Sequence, residues 1–175
     1  VAEYLQRYNA DVHTWRVGRA FAAPKLREID GLWGGELAGH YYFKDFFYSD
    51  SGLLASIIVL RILSALKKQG KSFSAQIAEI AGYENSGEIN FRLEDKAGAM
   101  KAVCDHFRQS EGEPQKYMDF DGFRFDYPTW WFNIRPSNTE PYLRFICEAT
   151  TREELDSRIA EVCAILEGQF GGVRS

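Results

Sequence analysis

Tyr117-Met-Asp-Phe-Asp-Gly-Phe-Arg-Phe-Asp-Tyr127 is the stretch on which the fold turns. Asp121-Gly122 stands between two runs rich in aromatic residues, and Asp-Gly suits a tight hairpin turn that needs positive φ. The spacing places strands over residues 117–120 and 123–127. Two more strand patterns follow, Trp130 to Ile134 and Tyr142 to Glu148, joined by the loop Arg135 to Pro141. Upstream, Glu88 to Leu93 alternates apolar and polar, as a half-buried strand does. Asp95 is placed to cap a helix with Ala97, Met100, Val103, Cys104 and Phe107 on one face. Downstream, Thr151-x-x-Glu154 is a capping box. The helix it opens puts Leu155, Ile159, Val162, Cys163 and Leu166 on one stripe. Together these describe an α+β domain over residues 85–175, an antiparallel sheet with helices on one face.

Gly82-Tyr-Glu-Asn-Ser-Gly87 is polar and glycine-bearing, and the domain boundary is placed there. Residues 1–84 have a different rhythm and read as a partial mixed α/β domain. Val1 to Tyr8 resembles the end of a helix, and no capping residue precedes it, so the chain is expected to start inside an element. Val12 to Val17 is a strand candidate. Ala20 to Ile29 is a helix if Pro24 sits in its first turn. Leu32 to Leu37 reads as a strand interrupted by Gly34 and Gly35, and Gly39 opens an aromatic loop, His40 to Tyr48. Asp50 is the expected N-cap of a helix over Ser51 to Lys68, whose apolar residues wrap nearly all round and call for burial on most sides. Ser74 to Ala81 is a further short helix.

Composition narrows the function classes. Among 175 residues, 21 Lys and Arg stand against 25 Asp and Glu, a net charge of −4, too acidic and mixed for a general nucleic-acid binder. The longest clean apolar run, Leu53 to Leu60, is far short of the ~20 residues that span a bilayer. No signal peptide is visible. Three cysteines without CxxC spacing (Cys104, Cys147, Cys163) fit reduced, buried thiols in a cytoplasmic protein and argue against structural zinc.

Two stretches carry chemistry. Arg135-Pro-Ser-Asn-Thr139 offers one guanidinium, two hydroxyls and one amide, all donors suited to an anionic oxygen, and the planar guanidinium matches phosphate bidentately. The same residues also serve in a polar hairpin loop that caps its own backbone. In Gly34-Gly-Glu-Leu-Ala-Gly-His40, glycines flank a carboxylate and an imidazole, groups that bond sugar hydroxyls; a strand-end turn with a surface Glu is the alternative. His13 and His106 have no useful neighbours in sequence. There is no P-loop, no dinucleotide fingerprint and no Ser/His/Asp order to propose.

Arg135-Pro-Ser-Asn-Thr-Glu-Pro-Tyr-Leu-Arg144, preceded by Asp121-Gly-Phe-Arg-Phe-Asp-Tyr-Pro128, resembles the C-terminal phosphate-binding region of the α-D-phosphohexomutases. Gly35-Glu-Leu-Ala-Gly-His40 with Tyr41-Tyr-Phe-Lys-Asp-Phe-Phe-Tyr-Ser-Asp-Ser-Gly52 resembles that family's sugar-recognition loop, in the version of the bacterial phosphomannomutase/phosphoglucomutase branch. The resemblance implies four domains, of which this chain carries most of the third (1–84) and the fourth (85–175), the latter with a TATA-box-binding-protein-like fold. It implies a reaction that moves a phosphoryl group between C1 and C6 of a hexose through a hexose 1,6-bisphosphate. It places Arg135, Ser137, Asn138 and Thr139 in a phosphate grip and Glu36, Ala38 and His40 in a sugar grip, with Arg19 and Lys25 as further candidate ligand contacts. Leu37 and Ala38 stand where the family often has Met and Ser. The phosphoserine and the Mg²⁺-binding loop belong to domains not matched here, so no catalytic residue and no metal ligand is expected in this chain. The expected partners are a hexose phosphate, the N-terminal domains, and a second copy through the incomplete third domain, with neither nucleic acid nor membrane. A phosphoglucosamine mutase and a non-catalytic phosphosugar-binding module are the alternatives.

Overall fold

Short antiparallel pairings organise the first of the two units into which the chain divides, Val1–Ala81 and Gly82–Ser175. The computed structural model describes residues 1–137 and 139–175. The first unit runs α1 (Ala2–Gln6), α2 (Arg19–Glu28), β1 (Trp33–Gly35), β2 (Tyr41–Phe43), β3 (Ser49–Asp50), α3 (Gly52–Lys68) and α4 (Phe73–Ile80). The three strands form one antiparallel sheet, with Gly35 opposite Tyr41 and Tyr42 opposite Asp50.

Five expectations for this unit need correction. Residues 12–17 form no strand; the strands of this unit pair among themselves. The α2 helix starts at Arg19, because the Gly18 carbonyl accepts from both Phe21 and Ala22 N–H. Pro24 therefore stands in its second turn, where it deprives the Ala20 carbonyl of a donor. The aromatic stretch after Gly39 is β2 followed by a 3-10 turn over Lys44–Phe46, not a free loop. The cap of α3 is Ser51, whose Oγ accepts from Leu54 N–H at 3.1 Å; Asp50 lies one residue back, on β3. Finally, only Leu66 of α3 is buried, while Leu53 is 76% exposed and Leu60 61%. A 17-residue helix is about 26 Å long, more than a three-stranded sheet of two- and three-residue strands covers.

The second unit runs β4 (Glu84–Asn85), β5 (Ile89–Arg92), α5 (Lys96–Glu111), β6 (Lys116–Met118), β7 (Phe123–Asp126), β8 (Trp130–Pro136), β9 (Tyr142–Ala149), α6 (Arg152–Phe170) and β10 (Val173–Arg174). The sheet order is β10-β5-β9-β8-β7-β6, antiparallel throughout, with β4 also on β9. Alternation is clean: Trp130, Phe132 and Ile134 of β8 and Leu143, Phe145 and Cys147 of β9 are buried. They meet Val103 and Phe107 of α5 and Leu155, Val162 and Leu166 of α6 in one core, so both helices cover the same face. Ala99 rather than Ala97 belongs to the buried stripe of α5.

The capping box of α6 is half formed. Thr151 Oγ1 accepts from Glu154 N–H at 3.2 Å, but the Glu154 carboxylate accepts from Thr129 Oγ1 instead. Cys104, Cys147 and Cys163 are buried free thiols. Burial pushes Cys104 up to about 12 and Cys147 up to about 11. Among the described residues no helix is long and apolar enough to cross a membrane.

Candidate functional site

In the first unit, the β1–β2 connection brings Glu36 and His40 together. Glu36 N–H donates to the His40 carbonyl at 2.9 Å and Gly39 N–H to the Glu36 carbonyl at 3.0 Å, with Gly39 at φ +85°. Leu37 and Ala38 form the exposed tip. The Glu36 carboxylate is clamped on both oxygens: Oε1 accepts from the Tyr42 hydroxyl at 2.5 Å and Oε2 from Gly18 N–H at 3.2 Å. Desolvation of Tyr42 and its bond to Glu36 push the phenol far above its ordinary range.

His40 Nδ1 donates to Asp50 Oδ2 at 2.6 Å, and Asp50 Oδ1 accepts from Tyr41 N–H at 3.0 Å. Asp50 thereby fixes the ring's tautomer and leaves Nε2 as the outward atom. The bond raises the His40 pKa, helped by the charges of Asp50 and Glu36, and lowers that of Asp50. The positive charge of Arg19, first residue of α2, reaches His40, Tyr42 and Asp50. Lys25 is engaged elsewhere, with Glu28 at 2.7 Å and over the Trp15 ring. The hairpin is thus a carboxylate and an imidazole on one turn, each oriented by a second group.

In the second unit, Arg135 belongs to β8 rather than to the loop and lies directly opposite Arg144 of β9. The loop proper begins at Ser137, whose N–H donates to the Tyr142 carbonyl at 2.9 Å. Ser137 Oγ accepts from Glu140 N–H at 3.2 Å and from Thr139 N–H at 3.5 Å. Asn138 lies outside the described residues. Arg144 holds two carboxylates, Glu140 at 2.6 Å and Glu88 at 3.2 Å, whereas Arg135 reaches Glu88 only at 4.0 Å. Glu140 therefore pairs with Arg144, not Arg135.

The turn at Gly122 seals the other side. With φ at +73°, a Cβ there would come within 2.3 Å of both Arg135 Cβ and the Ile134 carbonyl. Asn133 Nδ2 donates to the Asp121 carbonyl at 3.1 Å, tying the same turn to β8.

Sequence reasoning missed Asp50, Tyr42, Gly18 and Glu88. Asp50 was assigned to a cap that Ser51 fills, and Tyr42 is one aromatic among many; only the sheet register sets either beside its partner. Among the described residues no three His, Cys, Asp or Glu side chains gather as a metal ion requires.

Two family models match the chain: the alpha/beta/alpha domain III of phosphoglucomutase/phosphomannomutase over residues 1–83, and the C-terminal domain of the same family over 88–165. A phosphomannomutase of Methanocaldococcus jannaschii is 36% identical over 162 residues, 93% of this chain and 34% of that protein. A phosphomannomutase of Escherichia coli is 34% identical over 155 residues, covering 87% of this chain and 32% of that one. The crystal structure of a Burkholderia thailandensis protein described by the same two enzyme names superposes with a TM-score of 0.75 at 24% identity, over 95% of this chain and 34% of that one; this likeness is of fold. The chain spans about a third of the length of the curated relatives it matches.

Proposed function

Because the chain belongs to the phosphoglucomutase/phosphomannomutase family, two of whose domains it carries, we propose that it is the sugar- and phosphate-recognition half of a phosphohexomutase. In this reading the Glu36–His40 hairpin holds sugar hydroxyls, and Arg135 with the Ser137–Thr139 loop holds the phosphate that is not being transferred. Phosphoryl transfer depends largely on such positioning.

The observation that carries the reading is the unequal treatment of two facing arginines. Arg144 is neutralised by two close carboxylates, and Arg135, among the described residues, by none nearer than 4.0 Å. A half-buried guanidinium without a close counterion, beside a loop rich in hydroxyl donors, is a site for an anion. The competing reading is a self-capped structural loop, favoured by the two N–H groups that Ser137 Oγ accepts. Both fit one hydroxyl, since its oxygen accepts from the loop while its hydrogen remains to be donated.

Phosphosugar titration of the wild-type and Arg135→Ala full-length enzyme, with melting curves, tests the choice. A hydrogen bond to a charged group contributes about 1.5–3 kcal/mol, so Arg135→Ala is expected to weaken binding by roughly 10- to 150-fold. Lys at this position keeps the charge but loses the fork, and restores only part. Unchanged affinity with a lowered Tm supports the structural loop instead. Glu36→Ala is expected to raise KM for both mannose and glucose phosphates, because the lost contact is to ring hydroxyls; unchanged kcat/KM removes the hairpin from the site.

The phosphoryl carrier and Mg²⁺ are assigned to other domains of the whole enzyme, with hexose 1,6-bisphosphate as its intermediate. The 175-residue chain alone is accordingly expected to leave mannose 1-phosphate unconverted. Its exposed α3 side chains (Leu53, Ile57, Leu60) support association through the first unit, checked by sedimentation.

A further inference from the structure

The stretch read in sequence as a boundary, Gly82 to Gly87, is strapped to β9 through residues 84–86. Asn85 Nδ2 donates to Glu148 Oε1 at 2.6 Å, Ser86 N–H to the Cys147 carbonyl at 3.0 Å, and Cys147 N–H to Ser86 Oγ at 2.9 Å. Gly87 turns the chain at φ +67° and donates its N–H to Asn85 Oδ1 at 2.6 Å. This strap delivers the Glu88 carboxylate to two guanidiniums, 3.2 Å from Arg144 and 4.0 Å from Arg135. The side chains of Arg135, Arg144 and Glu88 are only 13%, 23% and 30% exposed.

We propose that Glu88 is the positioning residue of the phosphate grip: placed by the 84–88 strap, its carboxylate keeps Arg135 folded against the sheet at the mouth of the loop. This rests on the reading of Arg135 as the phosphate anchor. Arg135 and Arg144 are directly opposite across two strands, where like charges repel. Arg144 retains Glu140 if Glu88 is lost, but Arg135 has no other ion pair among the described residues. Without Glu88 the least costly relaxation is for Arg135 to swing into solvent, and each binding event must then re-order it.

The sign of the effect separates this from plain electrostatics. Two arginines with Glu88 and Glu140 sum to zero charge; removing Glu88 leaves +1. Charge alone therefore has Glu88→Gln bind phosphate more tightly. Positioning has it bind more weakly, by about three- to tenfold, the cost of immobilising one long side chain.

The test titrates inorganic phosphate into the ¹⁵N-labelled 175-residue chain, following the Thr139 and Glu140 amides and the Arg135 Nε–H signal, with melting curves for each variant. The expected result for Glu88→Gln is a three- to tenfold higher Kd, with the Arg135 Nε–H signal moved toward that of free arginine before phosphate is added. Glu88→Asp keeps the carboxylate and recovers part of the affinity, and carries the test if Glu88→Gln fails to fold. Equal or tighter binding by Glu88→Gln overturns the proposal. Arg135→Ala runs in parallel: weakened there but unchanged in Glu88→Gln, only the role of Glu88 falls; unchanged in Arg135→Ala, the phosphate reading falls and Glu88 with it.

Discussion

His40 is oriented by a residue ten positions away. The bond from Nδ1 to Asp50, at 2.6 Å, raises the imidazole pKa and lowers that of the carboxyl. A group raised on folding stabilises fully below its unfolded value, about 6.5 for histidine, and the contribution is lost as pH rises through the folded value. The lowered Asp50 stabilises above its unfolded value, about 3.9, and loses this as pH falls through its folded one. The charged pair is thus intact between the lowered pKa of Asp50 and the raised pKa of His40. His40 is nearly half exposed, so the bond serves orientation more than stability. The NMR titration of His40 is expected to have its midpoint above 6.5, and Asp50→Asn to bring it down; a midpoint indifferent to Asp50→Asn means the ring is not held this way. The same groups face His40 from their own elements: Glu36 from the hairpin and Arg19 from α2.

Turns and strand ends separate two costs that a glycine substitution usually mixes. Gly122 and Gly171 both hold positive φ, +73° and +62°. A Cβ at Gly171, beyond the end of α6, meets nothing within 4 Å, while at Gly122 it meets β8 backbone at 2.3 Å. Gly171→Ala is expected to cost about 1–2 kcal/mol, the conformational penalty alone. Gly122→Ala must add displacement of the hairpin from Arg135, so it is expected to cost more and to weaken phosphate binding, which Gly171→Ala does not. Equal denaturation midpoints for the two would mean the hairpin yields freely. These elements also mark what local sequence can and cannot specify. The Asp95 cap and the alternation of β8 and β9 are short-range signals, and each produces its element; the hairpin at Asp121-Gly122 also forms, but β6 ends at Met118, so its connection runs over 119–122 rather than the two residues expected, with positive φ at Gly122. Glu36 and His40 lie four residues apart, and one turn brings them together through Glu36 N–H and the His40 carbonyl. Asp50 and Ser51 are both good caps, and sequence could not choose between them; the choice belongs to sheet pairing, which leaves Asp50 opposite Tyr42 and free to bond His40. Arg135, read as the start of the loop, is the last but one residue of β8, with Pro136 still opposite Leu143. Glu88 lies 47 positions before Arg135, beyond any periodicity.

The two units differ in how much core each holds. Of the buried apolar residues, only Leu26, Tyr42 and Leu66 belong to residues 1–81, and the rest form one cluster in 82–175. Local opening follows buried contact. Hydrogen exchange is therefore expected to find the amides of β8, β9, α5 and α6 slower than those of α3 in a dilute sample; equal protection would contradict this. The three cysteines turn that asymmetry into a chemical clock. All lie in the second unit, all are buried, and burial keeps at least two of them protonated well past neutrality. An alkylating reagent sees a thiol only when this unit opens, whatever the first unit is doing. Counting adducts by mass against time in mild urea would time the opening of the second unit alone, with no label, tag or substitution added to the chain.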